Sequence, residues 1–275
     1  MTAVAVVGHV EWVEFAPVSA VPVPGEIVHA QETWEQAAGG GAVAAVQLAR
    51  LAGACRFFCA LGDDERGDRA AVELGARKGL VVQAVRRPRP QRRAFTFLDE
   101  AGERTITVIG ERLVPHGSDP LPWGDLARAD GVYFTGGDVD ALRAARSARL
   151  LVATPRALET LRAGGVALDV LVASATDAGE LYAAGTLDPE PRWVVRTRGG
   201  HGGEWVSAEG ACGAWHAAPI PGPVADAYGC GDSFAAGLTY GLAHTGDIDA
   251  ALALAARCGA ACLTGHGPYE GQIDG

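Results

Sequence analysis

From Val132 onward the chain alternates short apolar segments with Ala- and Leu-rich ones, and this alternation limits the fold more than any other feature. Val132–Thr135, Leu150–Ala153, Val170–Val172 and Trp193–Thr197 are brief and apolar, as strands buried on both faces are. The segments 138–147, 156–163 and 177–184 between them carry turn residues at their ends and predict helices. Strands separated by helices imply a parallel sheet covered on both faces, with ligands gathering at the carboxyl ends of the strands. Ala3–Val7, ending at Gly8, supplies a further buried strand. With 48% hydrophobic and 20% charged residues over 275 positions, the chain can bury a substantial core. It shows no internal repeat, linker or second core, so residues 1–275 are expected to form one α/β domain.

Between these strands the pattern is mixed. Residues 9–30 hold Trp12, Phe15, Pro17, Pro22, Pro24 and Gly25, which break any helical period and predict extended segments outside the main sheet. Gly39-Gly40-Gly41 opens a helical pattern over Ala42–Leu51, with Val43, Val46 and Ala49 on its apolar face. Those glycines either bring backbone amides close to a ligand or let the chain turn tightly. A helix over Asp68–Lys78 and a strand over Leu80–Val85 follow. Arg86–Arg93 carries five arginines and two prolines and reads as an exposed basic loop. Ala94–Leu98 and Thr105–Ile109 alternate as two strands of a hairpin.

The chemistry concentrates in Asp226-Ala227-Tyr228-Gly229-Cys230-Gly231-Asp232-Ser233-Phe234-Ala235-Ala236-Gly237. It follows a Pro/Gly cluster and runs into an apolar helix, Phe234–Leu242. Amides of a tight turn entering a helix, together with the helix dipole, suit a phosphate oxygen. Asp232 in the first turn would then stand beside the bound phosphate, where a base can take the proton of an attacking hydroxyl. The plainer reading is a Gly-rich loop capped by Asp.

This wording resembles the C-terminal signature of the ribokinase-like (PfkB) carbohydrate kinases, D-T-x-G-A-G-D-x-F-x-x-G, with Ala227 and Cys230 as its departures. Gly39-Gly40 with the later Ala49-Arg50-Leu51-Ala52-Gly53 and Gly62-Asp63-Asp64-Glu65-Arg66-Gly67 is similar to the family's first signature. Thr264-Gly265-His266-Gly267 matches its common ending. The resemblance implies a ribokinase-like, mostly parallel sheet with helices on both faces and a small β lid from about 9–30 and 92–110. That lid is also a candidate surface for a homodimer.

What the resemblance implies for the site can be stated by residue. Asp232 is the catalytic base, and Gly229, Cys230 and Gly231 form an anion hole. Thr197, Gly199 and Gly202 match the family's nucleotide-binding turn, with a Gly-rich hairpin as the plainer reading. Glu11, Gly39 and Gly40 fall at the acceptor-binding positions. The usual N-x-x-E segment falls on Ser174-Ala175-Thr176-Asp177, a departure; Asp177 either holds a water on Mg²⁺ or caps a helix. The acceptor site departs further, because Gly8-His9-Val10-Glu11-Trp12-Val13 replaces the usual Asn and Asp, and Ala44 replaces a further Asn. These changes imply an acceptor other than free ribose: a polyol, a nucleoside or a modified sugar. The expected activity is therefore ATP- and Mg²⁺-dependent phosphorylation of a small-molecule hydroxyl.

The alternative is a kinase-fold binding or regulatory protein with weakened catalysis. A nicotinamide-dependent dehydrogenase is disfavoured, since no G-x-G-x-x-G follows the first strand. A net charge of −10 argues against nucleic acid or an anionic membrane as partner. No run is long enough to span a membrane, and six cysteines without a C-x-x-C read as small buried residues. A cytoplasmic setting is the expectation.

Overall fold

The computed structural model describes residues 2–30 and 32–275. The N-terminal half runs through strands β1 (Val4–Val7), β2 (Glu11–Pro17) and β3 (Trp34–Ala38) into helix α1 (Gly40–Ala52). Strand β4 (Cys55–Gly62), helix α2 (Glu65–Gly75) and strands β5 (Leu80–Arg87), β6 (Arg93–Leu98) and β7 (Arg104–Ile109) follow. The second half begins with β8 (Gly131–Phe134), α3 (Val139–Arg146), β9 (Leu151–Ala153), α4 (Leu158–Gly164), β10 (Val170–Ser174) and β11 (Trp193–Thr197). It ends with the hairpin β12 (Gly203–Ser207) and β13 (Cys212–Trp215), then α5 (Cys230–Thr245), α6 (Ile248–Cys262) and α7 (Gly267–Glu270).

Nine strands form the main sheet in the order β13-β12-β11-β10-β9-β8-β1-β4-β5. All neighbours from β11 to β5 pair in parallel, and the pairings of β12 with β11 and with β13 are antiparallel. Period-two alternation along β1 explains how one strand serves two cores. Val4 and Val6 point into the layer containing α1, α5 and α6, while Ala5 and Val7 point into the layer containing α3. Burial on both faces is what makes these strands continuously apolar in sequence.

A second sheet, in the order β3-β2-β6-β7, stands beside the first. Its β2 pairs in parallel with β6, and its outer strand β7 is exposed along its length. Among its contacts with the rest of the molecule are two with the turn before α5. Phe15 of β2 stacks on Trp34 at 5.0 Å and meets Tyr228 edge-on at 5.2 Å. At the β6–β7 turn the Ala227 amide donates to the Gly102 carbonyl (3.1 Å), and Arg104 Nη1 donates to the Ala227 carbonyl (2.9 Å).

Three sequence expectations need correction. The segment 177–184 is not a helix; one short turn, Ala178–Glu180, is followed by irregular chain. Gly179 and Gly185 weaken helix formation there, and burial of Tyr182 and Leu187 fixes the segment by packing instead. Residues 9–30 supply one strand of the second sheet, and its partner β3 lies beyond them. Arg86–Arg93 is a solvated loop only in part, with Pro88, Arg89 and Pro90 exposed. Arg86 and Arg87 belong to β5, Arg87 forms a two-pronged contact with Asp119 (2.8 and 2.6 Å), and Arg92 turns inward to Glu11. Carboxylates distant in sequence neutralise arginines that look solvated when read locally.

Candidate active site

Two helix N-termini converge at the carboxyl end of β1. Gly8, just past that strand, lies so close to Thr135 and to the backbone of Gly41 that a side chain on it would overlap Thr135 Oγ1. Gly41 in turn abuts the backbone of His9, where an added Cβ would sit 2.7 Å from both its N and its O. Helix α1 therefore begins directly against the first strand. Gly39 precedes it with φ +88°, a conformation that favours glycine.

Helix α5 brings Asp232 to the same point. Gly229 precedes the helix at φ +82°, where a side chain would press on Pro268 and Val43, each at 2.9 Å. The turn before it is braced by Asp226, fully buried, whose carboxylate accepts from the Tyr228 amide (2.7 Å) and the Gly267 amide (3.0 Å). Gly231 is exposed, and a Cβ built on it meets nothing within 4 Å. Gly229 is thus demanded by the fold, whereas the space beside Gly231 is open. Cys230 begins α5, and a hydrogen bond with the Cys262 thiol, reinforced by burial, pushes the Cys230 thiol up. Its contribution to an anion site is its backbone amide.

Asp232 keeps partial access to solvent through the cleft. Burial of its carboxyl raises its pKa from 3.8 to about 7, with Glu180 adding to the rise and Arg104 and Arg156 opposing it. A carboxyl poised near neutrality is suited to proton transfer.

Glu11 is buried. Its Oε1 pairs with Arg92 Nε at 2.8 Å and lies 3.8 Å from His9 Nε2. Burial raises the Glu11 carboxyl above its usual range against the pull of Arg92, Arg112 and Arg156. His9 is buried too, with Nδ1 at 3.5 Å from Thr135 Oγ1. Desolvation, reinforced by Arg112, Arg92 and Arg156, lowers its pKa well below the ordinary value and leaves it neutral. This carboxylate therefore lies inside the molecule and not on a solvated surface.

Thr197 ends β11 beside Ser174 of β10, and its Oγ1 is 3.4 Å from the Ala173 carbonyl. Gly199 (φ +54°) has free space around it in an exposed turn, while Gly202 (φ +76°) is packed against the Trp215 carbonyl. The hairpin reading of this segment holds, because β12 returns antiparallel to β11. Asp177 caps the short turn, accepting from the Gly179 amide at 2.8 Å, and its other oxygen pairs with Arg156. Arg156 also holds Glu180 at 2.9 Å.

Sequence reasoning missed His9, Thr135, Arg92, Arg104, Arg112 and Arg156 as residues of this cleft. They converge from separate strand ends, and no local spacing signals that meeting. A cavity of about 460 Å³ adjoins them, lined by Arg112, Val114, Gly136, Arg156, Leu158 and Thr160. A further cavity of about 530 Å³ lies at the opposite, amino end of the strands, against Leu168 and Trp193, away from Asp232.

With respect to magnesium, no group of three or more His, Cys, Asp or Glu side chains gathers as a metal cage among the described residues. Mg²⁺ commonly takes one or two carboxylates together with substrate phosphates. Asp177 and Glu180 offer that donor chemistry on one short turn, and Glu180 is close enough to perturb Asp232.

The family model described as pfkB family carbohydrate kinase matches residues 1–274. None of the curated proteins matches the chain. Among solved structures, ribokinase from Thermotoga maritima is 18% identical, with a TM-score of 0.77 over 100% of this chain and 97% of its own. Arabidopsis thaliana ribokinase, complexed with ribose and ATP, is 20% identical, with a TM-score of 0.75 over 100% and 96%. Adenosine kinase from Sinorhizobium meliloti is 18% identical, with a TM-score of 0.77 over 97% and 95%. At these identities the likeness establishes the fold.

Proposed function

The chain belongs to the pfkB family of carbohydrate kinases, and on that premise we propose that it transfers the γ-phosphoryl group of ATP to a hydroxyl of a small sugar-like acceptor. The observation that carries this reading is Asp232 in the first turn of α5, its pKa raised to about 7, next to the open space beside Gly231. Asp232 accepts the proton of the acceptor hydroxyl as its oxygen bonds to the γ-phosphorus. The bond from that phosphorus to the bridging oxygen of ADP breaks in the same displacement. Amides of Cys230, Gly231 and Asp232 stabilise the charge on the transferred group, helped by the α5 dipole. Both ATP and ribose are ligands of the Arabidopsis relative, and adenosine kinase shares the fold, which supports a nucleotide and a polyhydroxylated acceptor here.

The nucleotide is assigned to Thr197, Gly199 and Gly202. The second sheet serves as a lid that excludes water, a competing acceptor. Asp177 and Glu180 would hold magnesium, which when bound neutralises phosphate charge and orients the phosphoryl group. The test is a coupled assay for ADP release with ATP and a panel of sugars, polyols, nucleosides and their charged derivatives. Acceptor-dependent ADP release that disappears in Asp232→Asn supports the reading. ATP binding without turnover on any acceptor would instead favour a binding protein on a kinase fold.

A further inference from the structure

The arginines of the acceptor cleft are unequally paired with its carboxylates. Arg92 is occupied by Glu11 (2.8 Å), and Arg156 by Asp177 and Glu180. Arg112, just beyond β7, differs from both. Among the described residues no carboxylate lies within 4.0 Å of its guanidinium, whose one hydrogen bond goes from Nη1 to the Arg156 carbonyl at 3.2 Å. The side chain is nevertheless half-buried. Leaving a desolvated charge without a counter-ion is unfavourable, and protein sites that do so commonly receive an anion.

Its surroundings indicate where that anion belongs. Arg112 and Arg156 both line the 460 Å³ cavity next to Gly136 and Gly137, which follow β8 and Thr135. A Cβ on Gly136 would lie 4.0 Å from Arg112 Cδ, so the absence of a side chain keeps that wall low. Gly136 follows Thr135, which contacts His9 and Gly8, so this cavity adjoins the acceptor end of the cleft, and the charge of Arg112 is felt by both His9 and Glu11. Burial and the neighbouring Arg92 lower its own pKa, with Glu11 and Asp232 opposing the fall. The turn assigned to the nucleotide, 197–202, projects from β11 on the other side of β9 and β10.

We propose that the acceptor is a polyhydroxylated molecule carrying an anionic group, a phosphate ester or a carboxylate, which Arg112 binds in the cavity it shares with Arg156. The proposal takes the position of the reacting hydroxyl, at Asp232, from the phosphotransfer reading above. Planar guanidinium groups bind carboxylate and phosphate oxygens with directional, charge-assisted hydrogen bonds. Neutral His9 and the Glu11–Arg92 pair are left to contact hydroxyl groups on the same molecule.

The experiment compares matched acceptors: fructose with fructose 6-phosphate, ribose with ribose 5-phosphate, and glucose with gluconate. Steady-state kinetics with ATP are measured for the wild type, Arg112→Gln and Arg112→Lys. Calorimetric binding of the same compounds is measured with a non-hydrolysable ATP analogue present. A charged member should exceed its neutral partner by about 10–100-fold in kcat/KM, the scale of a hydrogen bond to a charged group. Arg112→Gln should remove most of that advantage through the acceptor KM while leaving the KM for ATP unchanged, and Arg112→Lys should restore part of it. The phosphorylated and carboxylated pairs show which anion the cavity takes. Equal or better use of neutral partners overturns the proposal, as does an Arg112→Gln defect confined to ATP. If no acceptor is phosphorylated, the phosphotransfer reading fails, and calorimetry decides this one separately. Arg112-dependent binding of a charged compound sustains it, and the lack of any such binding overturns it.

Discussion

A Cβ placed on Gly40, the first residue of α1, would lie 2.6 Å from Oδ1 of Asp232 in the first turn of α5. The carboxylate is therefore seated against bare backbone. The two helix N-termini meet there because Gly39–Gly41 carry no side chains to separate them. Gly40 does not need glycine for its own backbone angles, since its φ lies outside the left-handed region. Gly40→Ala should consequently leave the fold intact and displace Asp232. We expect kcat to fall by about 10²-fold, the scale for misplacing a reacting group by an ångström. Unaltered kcat in a folded Gly40→Ala protein would show that the contact does not position the base.

Asp232→Asn retains the shape of the side chain and removes its basicity. Turnover should drop by about 10²–10⁴-fold with ATP binding preserved. The wild-type pH profile supplies a second measurement. Since the Asp232 pKa is raised to about 7, kcat/KM should increase from pH 5 to 8 with a midpoint near 7. A profile flat across that range would remove Asp232 from the role of base.

The same ionisation bears on stability, with a definite sign. Between 3.8 and about 7 the folded protein holds a proton on Asp232 that the unfolded chain has released. Stability from this group is therefore lost as pH rises through that window. Asp232→Asn never buries the charge, so its thermal midpoint should exceed that of the wild type at pH 8 by a few degrees. The gain should shrink towards zero near pH 4. A variant less stable than the wild type at pH 8 would mean that the carboxylate is stabilised in the cleft after all.

Gly229 and Gly231 look equivalent in the sequence, and the structure separates them. Gly229→Ala requires an unfavourable φ and a clash with Val43 and Pro268, and should destabilise the protein by about 1–3 kcal/mol. Gly231→Ala, with open space around the new methyl, should shift the thermal midpoint little yet reduce phosphotransfer by about 10-fold or more, because that space faces the proposed phosphoryl site. Gly231→Val should act more severely. Full activity in both Gly231 variants would relocate the anion site.

What could be read from the chain and what could not divide along contact distance. The α5 turn is contiguous, so Gly229, Gly231 and Asp232 were recognisable from local chemistry, and the strands from Val132 to Thr197 from their apolar runs. Arg92, Arg112 and Arg156 lie on three connections and meet only in the folded protein. Read locally, Arg92 belonged to a basic loop, and Arg112 followed a hairpin strand without any motif. The segment 177–184 looks helical from its Ala content, yet Gly179 within it and Gly185 just beyond it disfavour a helix. Strand β3 escapes a local reading because its half-buried part, Trp34–Gln36, is short and mixed in character, and its place is set by pairing with β2.

The Glu11–Arg92 pair provides the last test, because it joins two neighbouring strands of the second sheet, β2 and β6, where they border the cleft. Arg92 immediately precedes β6, Glu11 opens β2, and the Trp12 amide donates to the Arg92 carbonyl at 2.9 Å. Both side chains are largely withdrawn from water, so removal of one leaves the other charged and unmatched. Glu11→Ala or Arg92→Met alone should destabilise the protein by about 3–5 kcal/mol, whereas Glu11→Met with Arg92→Met should be considerably less harmful than the two effects summed. Glu11→Gln preserves an acceptor for Arg92 and is the gentler probe of function. It should raise the KM of the true acceptor more than that of ATP, since Glu11 lies beside His9 and the start of α1. Free ribose should be a poor substrate in the wild type. Efficient ribose phosphorylation, unaffected by Glu11→Gln, would restrict the pair to holding β2 against the start of β6.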